Sequence, residues 1–581
     1  MPAPPSAAPA PPRRTDIGAA LSYVVLSLLV LCRLWLSPNG RVLSANDDDH
    51  GFFLFLMAHG ERVVFHGANP FVSDALNVPA GVNMMANTSV LALSLPFAPI
   101  THVFGAGVTV ALLLTLGLCG TATAWYGVLS RHLVRSRVAA WVGGLWCGFC
   151  PAMVAHANGQ VNFVCQFVVP FLVWQVFRLR EPGRIVRGGV AVGLLVVLQA
   201  FINEEILLFT ALTLGVFVLG YAAMAPRPAL AAAPRFAVGL GVAAVVSGLL
   251  LAYPLWFQFT GPGGYRGQPF PPDRYVTDLL SIGAYARQSL AGNGAVARGL
   301  SVSATEDNTF FGVPLLVLLV VAVIMLWRSV AARAAALAGL VLLFVSMGPT
   351  LRAAGRDTGI PLPFGLVSHV PVIDLVSVTR FAMVPATIVG VLLALAADRA
   401  GGHPRRWRVA FWIGLTVALV PVLPKPLPVV LADPLPPFLA DGTWRSYLRG
   451  GRSLVPVPLP EVTTGRAGMR WAALSGLEFP VPRGYFMGPA DPPANRTGSW
   501  SAPPRFTSDL LRRVGRDGRV PVVTAADRLA FAEDLRFWRA GVVVLVPGAR
   551  NEPQLRATLT ELFGQQPRVV DGVRLWIPPP G

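Results

Sequence analysis

The chain has 581 residues, 54% of them hydrophobic and only 13% charged, with a mean hydropathy of +0.58. Soluble domains carry about 25% charge and disorder needs low hydrophobicity, so both an ordinary soluble globule and a disordered chain are excluded. A polytopic membrane protein is left. The net charge of +18 then reads as arginine that sets topology, with no nucleic-acid partner.

Residues 1–16 are Pro/Ala-rich, carry Arg13 and Arg14, and are predicted to form a disordered cytoplasmic tail. The apolar run 17–36 is too long for a signal-peptide core and no small-residue cleavage site follows it, so it is predicted to be an uncleaved first span. A large outer loop, 38–104, comes next. Its 88–104 segment is apolar but carries Pro96 and Pro99 and is expected to be a half-span or interfacial helix. Further apolar runs fall at 106–130, 138–153, 159–177, 186–202, 206–223, 236–257, 310–327, 334–348, 378–397 and 408–423. Several are shorter than the roughly 20 residues of a perpendicular helix.

With the N-terminus inside, the arginines gather in the cytoplasmic pieces, at 131–137, 178–187, 227–235, 328–333 and 399–408, and thin out in the longer outer ones. The positive-inside rule supports that orientation. About eleven crossings make 17–425 an α-helical membrane domain in the plasma membrane and place the C-terminus outside. From 430 the hydropathy falls and charge becomes ordinary. Strand-like runs at 519–523, 541–546 and 569–577 alternate with amphipathic helices at 525–538 and 553–563, which predicts an extracytoplasmic α/β domain over 430–581. The five cysteines lie in or beside apolar stretches, and even the Cys147/Cys150 pair reads as packing rather than redox or metal chemistry.

The polar residues are more informative. Asn46, Asp47, Asp48, Asp49 and His50 follow the first span. Three adjacent carboxylates beside a membrane repel one another. They make sense as a cation site or as a base; the plainer reading is a solvated acidic loop. Asn69, Asn83 and the 87–89 triplet are ordinary turn formers whose density suggests a folded loop with a polar pocket. His156, Asn158, Gln160 and Asn162 sit at the outer tip of the hairpin between spans three and four, as ligands or as simple tip residues. Asn203, Glu204 and Glu205 mark the outer junction of spans five and six, where an ionisable residue inside the bilayer is a functional-site hypothesis. Arg380 opens the span 378–397 and is expected either to bind a phosphate or to serve as a counter-ion for Glu204, Glu205 or the Asp cluster.

With these motifs in place, the sequence resembles the GT-C superfamily of integral-membrane glycosyltransferases, of the multi-span bacterial kind. The likeness covers roughly 17–425. It rests on the acidic motif at 46–50, the 69–71 and 79–83 segments, the 156–162 tip, Glu204 and Glu205, and the run Thr379, Arg380, Phe381 after a long outer loop. The resemblance implies an inverting transfer of a sugar from a polyprenyl-phosphate donor to a glycan or lipid acceptor of the cell envelope. It implies a loop-one carboxylate as general base, Asp47 first and Asp49 second. Asn69, Asn83, His156, Asn158, Glu204, Glu205 and Arg380 are expected to bind substrate. A divalent cation, Mg²⁺ or Mn²⁺, would be held by Asp47 and Asp49. The competing class is a non-enzymatic carrier, flippase or assembly factor for lipid-linked saccharides, but transporter polar groups often sit at the midplane of repeated broken helices, whereas here they gather at one face.

Overall fold

A computed structural model describes residues 14–462 and 464–579. Most of the tail expected to be disordered, 1–13, lies outside those residues; Arg14 and Asp16 already belong to the first turn of the helix Arg14–Trp35. Six described helices are long and apolar enough to cross a membrane: Arg14–Trp35, Ala106–Leu133, Arg137–His156, Glu204–Met224, Pro226–Thr260 and Val378–Ala400. Ile185–Ala200, Val313–Met325 and Val330–Val345 are shorter apolar helices. The expected span 159–177 is broken into Val161–Val164 and Val169–Arg178. The break falls where Pro170, at the start of the second piece, cannot donate to a continuing helix. The 88–104 segment folds as two short helices, Leu91–Ser94 and Ala98–Phe104.

One end of the bundle gathers the arginine-rich connections. Arg137 pairs with Asp16 at 3.2 Å, Tyr126 donates to Asp16, and the amides of Arg135 and Ser136 donate to Asp398. The opposite end carries loop one. No regular element is expected there from the sequence, yet Asp47–His66 is a 20-residue helix, capped at Asn46 and buried from Phe52 to Glu61. Burial on all sides removes the one-face periodicity by which helices are recognised.

The C-terminal region holds a four-stranded sheet. Ala540–Leu545 pairs in parallel with Ser453–Val457 and antiparallel with Val573–Trp576, which pairs with Arg568–Val570. The helices Phe506–Asp517, Ala525–Phe537 and Glu552–Phe563 cover one face through Leu511, Phe531, Leu555 and Leu559. The other face, with Leu454, Val542, Val544 and Leu575, joins the core that runs into loop one. The expected strand 519–523 does not form. Pro521 lacks a ladder donor, Val520 and Val522 face solvent, and the position beside Ala540–Leu545 is filled by Ser453–Val457. The expected run 569–577 is a hairpin that reverses at Asp571 and Gly572, both at positive φ, as an Asp-Gly turn requires.

Candidate active site

Two helix N-termini and one span entrance build the site. Asn46 caps the loop-one helix and Asn203 caps Glu204–Met224, each through its side-chain oxygen. Acids in a first helical turn are favoured by the unpaired amides there, which is a local reason for Asp47 to Asp49 and for Glu204 and Glu205.

The three aspartates are not equivalent. Arg466, on the C-terminal helix Arg466–Leu474, reaches Asp47 through Nη1 at 2.6 Å and Asp48 through Nε and Nη2 at 2.6 and 3.0 Å. Burial pushes the Asp47 carboxyl above the usual carboxylate range, and the guanidinium pulls the other way. Asp49 meets only uncharged donors. Its Oδ2 accepts from Asn46 Nδ2 at 2.6 Å and Gln160 Nε2 at 2.8 Å, and its Oδ1 accepts from the Tyr485 hydroxyl at 2.7 Å. A carboxylate offers about four lone-pair sites, so one direction on Oδ1 stays open. Tyr485 is fixed by Phe52 edge-on and by Trp500 stacked at 5.2 Å. Burial and the Asp49 charge hold its hydroxyl well above the usual tyrosine range, so it stays a donor.

From Asp49 the network continues inward. Gln160 Oε1 bonds His156 Nδ1, His156 stacks on Phe163 at 4.6 Å, and the Arg380 guanidinium lies over the same ring at 4.6 Å. Arg380 donates through Nη1 to Glu205 at 3.0 Å and through Nε to Glu306 at 3.0 Å. Its Nη2 makes no bond to a described residue. Glu204 turns away and accepts from Gln258 at 2.8 Å. The structure thus shows the counter-ion arrangement for Arg380, toward Glu205, with Glu306 as an unforeseen second partner held by Asn308 at 3.0 Å.

Other candidates fall outside this network. Asn69 accepts from its own Phe71 amide in an exposed turn. Asn83 is buried between the Phe257 carbonyl and the Ala86 amide. Asn158 donates to the carbonyls of Val154 and Ala155. The 156–162 segment is no exposed tip: His156 and Asn158 are fully buried, because Gly159 backs directly onto the start of the loop-one helix. Gln160, read from the sequence as a ligand or a simple tip residue, joins His156 to Asp49. Arg466 and Tyr485 had no local sequence signature, since both act across about 400 residues of chain.

The donor set does not fit a divalent cation. Mg²⁺ and Mn²⁺ want converging oxygens, but Asp47 and Asp48 converge on a guanidinium and Asp49 on N–H and O–H donors. Among the described residues no three of His, Cys, Asp or Glu gather as a ligand set.

Beside the network opens a cavity of ≈ 1150 Å³ between the spans, lined mostly by apolar side chains. Ile206, Phe209 and Met383 form its near end, within a turn of Glu205 and Arg380; His132, Trp174, Arg178 and Arg180 line its far end.

The sequence matches no protein-family model and no curated protein. Its structure is similar to that of the archaeal oligosaccharyltransferase AglB from Archaeoglobus fulgidus in complex with an inhibitory peptide and a dolichol-phosphate. The identity is 11% and the TM-score 0.51, over 92% of this chain and 69% of that one. An oligosaccharyltransferase from the same organism, in complex with Zn and sulfate, aligns at 11% identity and a TM-score of 0.46, over 91% and 67%. Its form tethered to an acceptor peptide aligns at 12% and 0.47, over 80% and 63%. At that identity the likeness is one of fold: this chain shares the overall fold of that archaeal oligosaccharyltransferase.

Proposed function

We propose that the protein is a membrane glycosyltransferase that moves a sugar from a polyprenyl-phosphate donor to a hydroxyl of a cell-envelope glycan or lipid, with inversion, on the outer side of the plasma membrane. The observation that carries this reading is one large apolar cavity whose lining residues Ile206 and Met383 lie within a turn of Glu205 and Arg380, with Asp49 joined to Arg380 through Gln160, His156 and Phe163. At ≈ 1150 Å³ the cavity exceeds the roughly 300–1,000 Å³ of ordinary small-molecule sites, which suits a long isoprenoid tail. The tail would lie between the spans with its phosphate beside Arg380, whose Nη2 is free to donate to the departing oxygen.

Asp49, rather than Asp47, is the proposed base. A general base must reach the proton it takes, and Asp49 keeps an open direction on Oδ1 while Asp47 is spent on Arg466. The acceptor oxygen attacks the anomeric carbon, Asp49 takes its proton, and the bond to phosphate breaks on the opposite face. Carboxylates outnumber guanidiniums around the site, so a neutral hydroxyl is favoured over an anionic acceptor. The eleven-span count, the N-terminus inside and the C-terminal region outside belong to the same proposal.

Incubation of the purified protein with a panel of polyprenyl-phosphate sugars tests it. Consumption of one donor with release of polyprenyl phosphate is expected, and lost in Asp49→Asn. Translocation of a lipid-linked saccharide across vesicles, without cleavage, would favour the carrier reading instead.

A further inference from the structure

We infer that the Arg466 guanidinium is the resident cation of the acidic turn, in the place a divalent metal would take, so that this protein works without one. The loop-one helix begins with three carboxylates, and the helix N-terminus offsets only part of their repulsion. The rest is met by a planar fork. Arg466 uses Nε and Nη2 on both oxygens of Asp48 and Nη1 on Asp47. This is the bidentate geometry that arginine offers and an ammonium cannot. A metal bound to Asp47 and Asp48 would have to occupy the space between those oxygens that the guanidinium fills.

The third carboxylate keeps a single free direction, on Oδ1, and so cannot join its neighbours in enclosing a metal. Asp49 is held by Asn46, Gln160 and Tyr485, all presenting hydrogens. Asp49 is therefore oriented by hydrogen bonds from loop one, the hairpin turn and the C-terminal region.

The consequence is structural as well as chemical. Arg466 belongs to the helix Arg466–Leu474, which packs on the loop-one helix. Arg466 is thus a positioning residue: it ties the C-terminal region to the turn that carries Asp49. The statement about turnover rests on the transfer reading above; the statement about metal binding does not.

Mn²⁺ uptake by the purified full-length protein, followed by electron paramagnetic resonance, tests the inference without any donor. Wild type is expected to show no saturable uptake at millimolar Mn²⁺. A saturable site that disappears in Asp48→Asn would overturn the inference. Arg466→Met leaves two unpaired adjacent carboxylates, and uptake of a single Mn²⁺ is expected to appear, then vanish in Arg466→Met combined with Asp48→Asn. A monodisperse Arg466→Met protein that takes up none would also overturn it; should that variant not fold, the wild-type titration decides alone. Where a donor is turned over, EDTA should leave the rate unchanged, and a loss of turnover in EDTA restored by Mn²⁺ would refute metal independence. A protein that takes up no Mn²⁺ and consumes no donor would fail the transfer reading and leave this inference standing.

Discussion

The turns at 46–49 and 203–205 share one local grammar and reach different electrostatic states. Each sets an Asn at the N-cap and acids in the first helical turn. In the first, the cation comes from the C-terminal region and is nearly half exposed; in the second, Arg380 comes from a neighbouring span and its side chain is only 16% exposed. In both, one acid is left to uncharged donors while its neighbour takes the guanidinium: Asp49 beside Asp48, and Glu204 beside Glu205. At 3.6 residues per turn, adjacent side chains point roughly 100° apart. A run of acids is therefore several sites, sorted by what each direction meets.

The largest expected effect tests that sorting in the first turn. Asp49→Asn should cut donor turnover by roughly 10²–10⁴-fold, the usual worth of general-base assistance. Asp47→Asn keeps the geometry and should cost far less. Equal losses, measured as release of polyprenyl phosphate, would erase the proposed difference between an open base and an ion-paired neighbour.

Stability should rank the two cations the other way. Arg380→Met strands Glu205 and Glu306 in a largely buried place, and breaking such a pair costs roughly 3–5 kcal/mol. Arg466→Met removes a cation whose side chain is 44% exposed, where ion pairs contribute about 0–1 kcal/mol. Unfolding in detergent should show the larger loss at Arg380, and the reverse order would mean that the C-terminal contact, not the junction between spans, holds the molecule together.

Acid should weaken the region of the first turn. His50 and His59, both buried in the loop-one helix, are held by desolvation at about 4 against 6.5 in the open chain. A depressed histidine costs nothing above pH 6.5, where both states are neutral. Below it the unfolded chain binds protons that the folded one refuses, so stability falls until about pH 4 and then levels. Each histidine accounts for roughly 3 kcal/mol at most. Melting temperatures across pH 4–7 should slope in wild type and less so in His59→Gln; a flat wild-type curve contradicts the burial argument.

The sequence made some of this legible and hid the rest for physical reasons. Apolar runs map onto helices because burial in lipid or protein leaves an unbroken hydrophobic stretch, and Glu205 and Arg380 stand out because charge is rare there. The loop-one helix was illegible because Phe52 to Ala58 is apolar on every side. Arg466 and Tyr485 were illegible because an ordinary Arg and Tyr in a mixed segment acquire meaning only from partners some 400 residues away. Motif order favours Asp47 over Asp49, whereas the partners of each carboxylate are set by the third dimension.

Gly159 packs against the first turn and precedes Gln160 in the chain, so it sets where Gln160 meets Asp49. Its φ of +107° disfavours any side chain, and an added Cβ would lie 3.0 Å from the His50 amide and 3.1 Å from the Asn46 carbonyl. Gly159→Ala should cost about 1–3 kcal/mol in backbone strain and lower turnover by displacing Gln160 from Asp49. Wild-type turnover in that variant would show that the Gln160 contact does not orient the base.

A smaller effect on turnover than loss of the base is expected at Tyr485. Tyr485→Phe deletes only the hydroxyl that donates to Asp49 at 2.7 Å, while Phe52 and Trp500 still hold the ring. A hydrogen bond to a charged group contributes about 1.5–3 kcal/mol, so kcat/KM should fall by roughly 10–10²-fold. The hydroxyl is kept protonated by burial and by Asp49, so it cannot itself take the acceptor's proton, and the high-pH limb of the rate profile should be the same in wild type and variant. A limb that disappears with the hydroxyl would make Tyr485 the titrating group. Gln160→Leu removes the donor on the other carboxylate oxygen, and residues in one network are expected to couple. If Tyr485→Phe and Gln160→Leu act through a single Asp49, the double variant should lose less or more than the sum of the two. Strict additivity would mean that the C-terminal tyrosine and the hairpin glutamine act on different groups, and the convergence on Asp49 that distinguishes the first turn from the second would not be what turnover depends on.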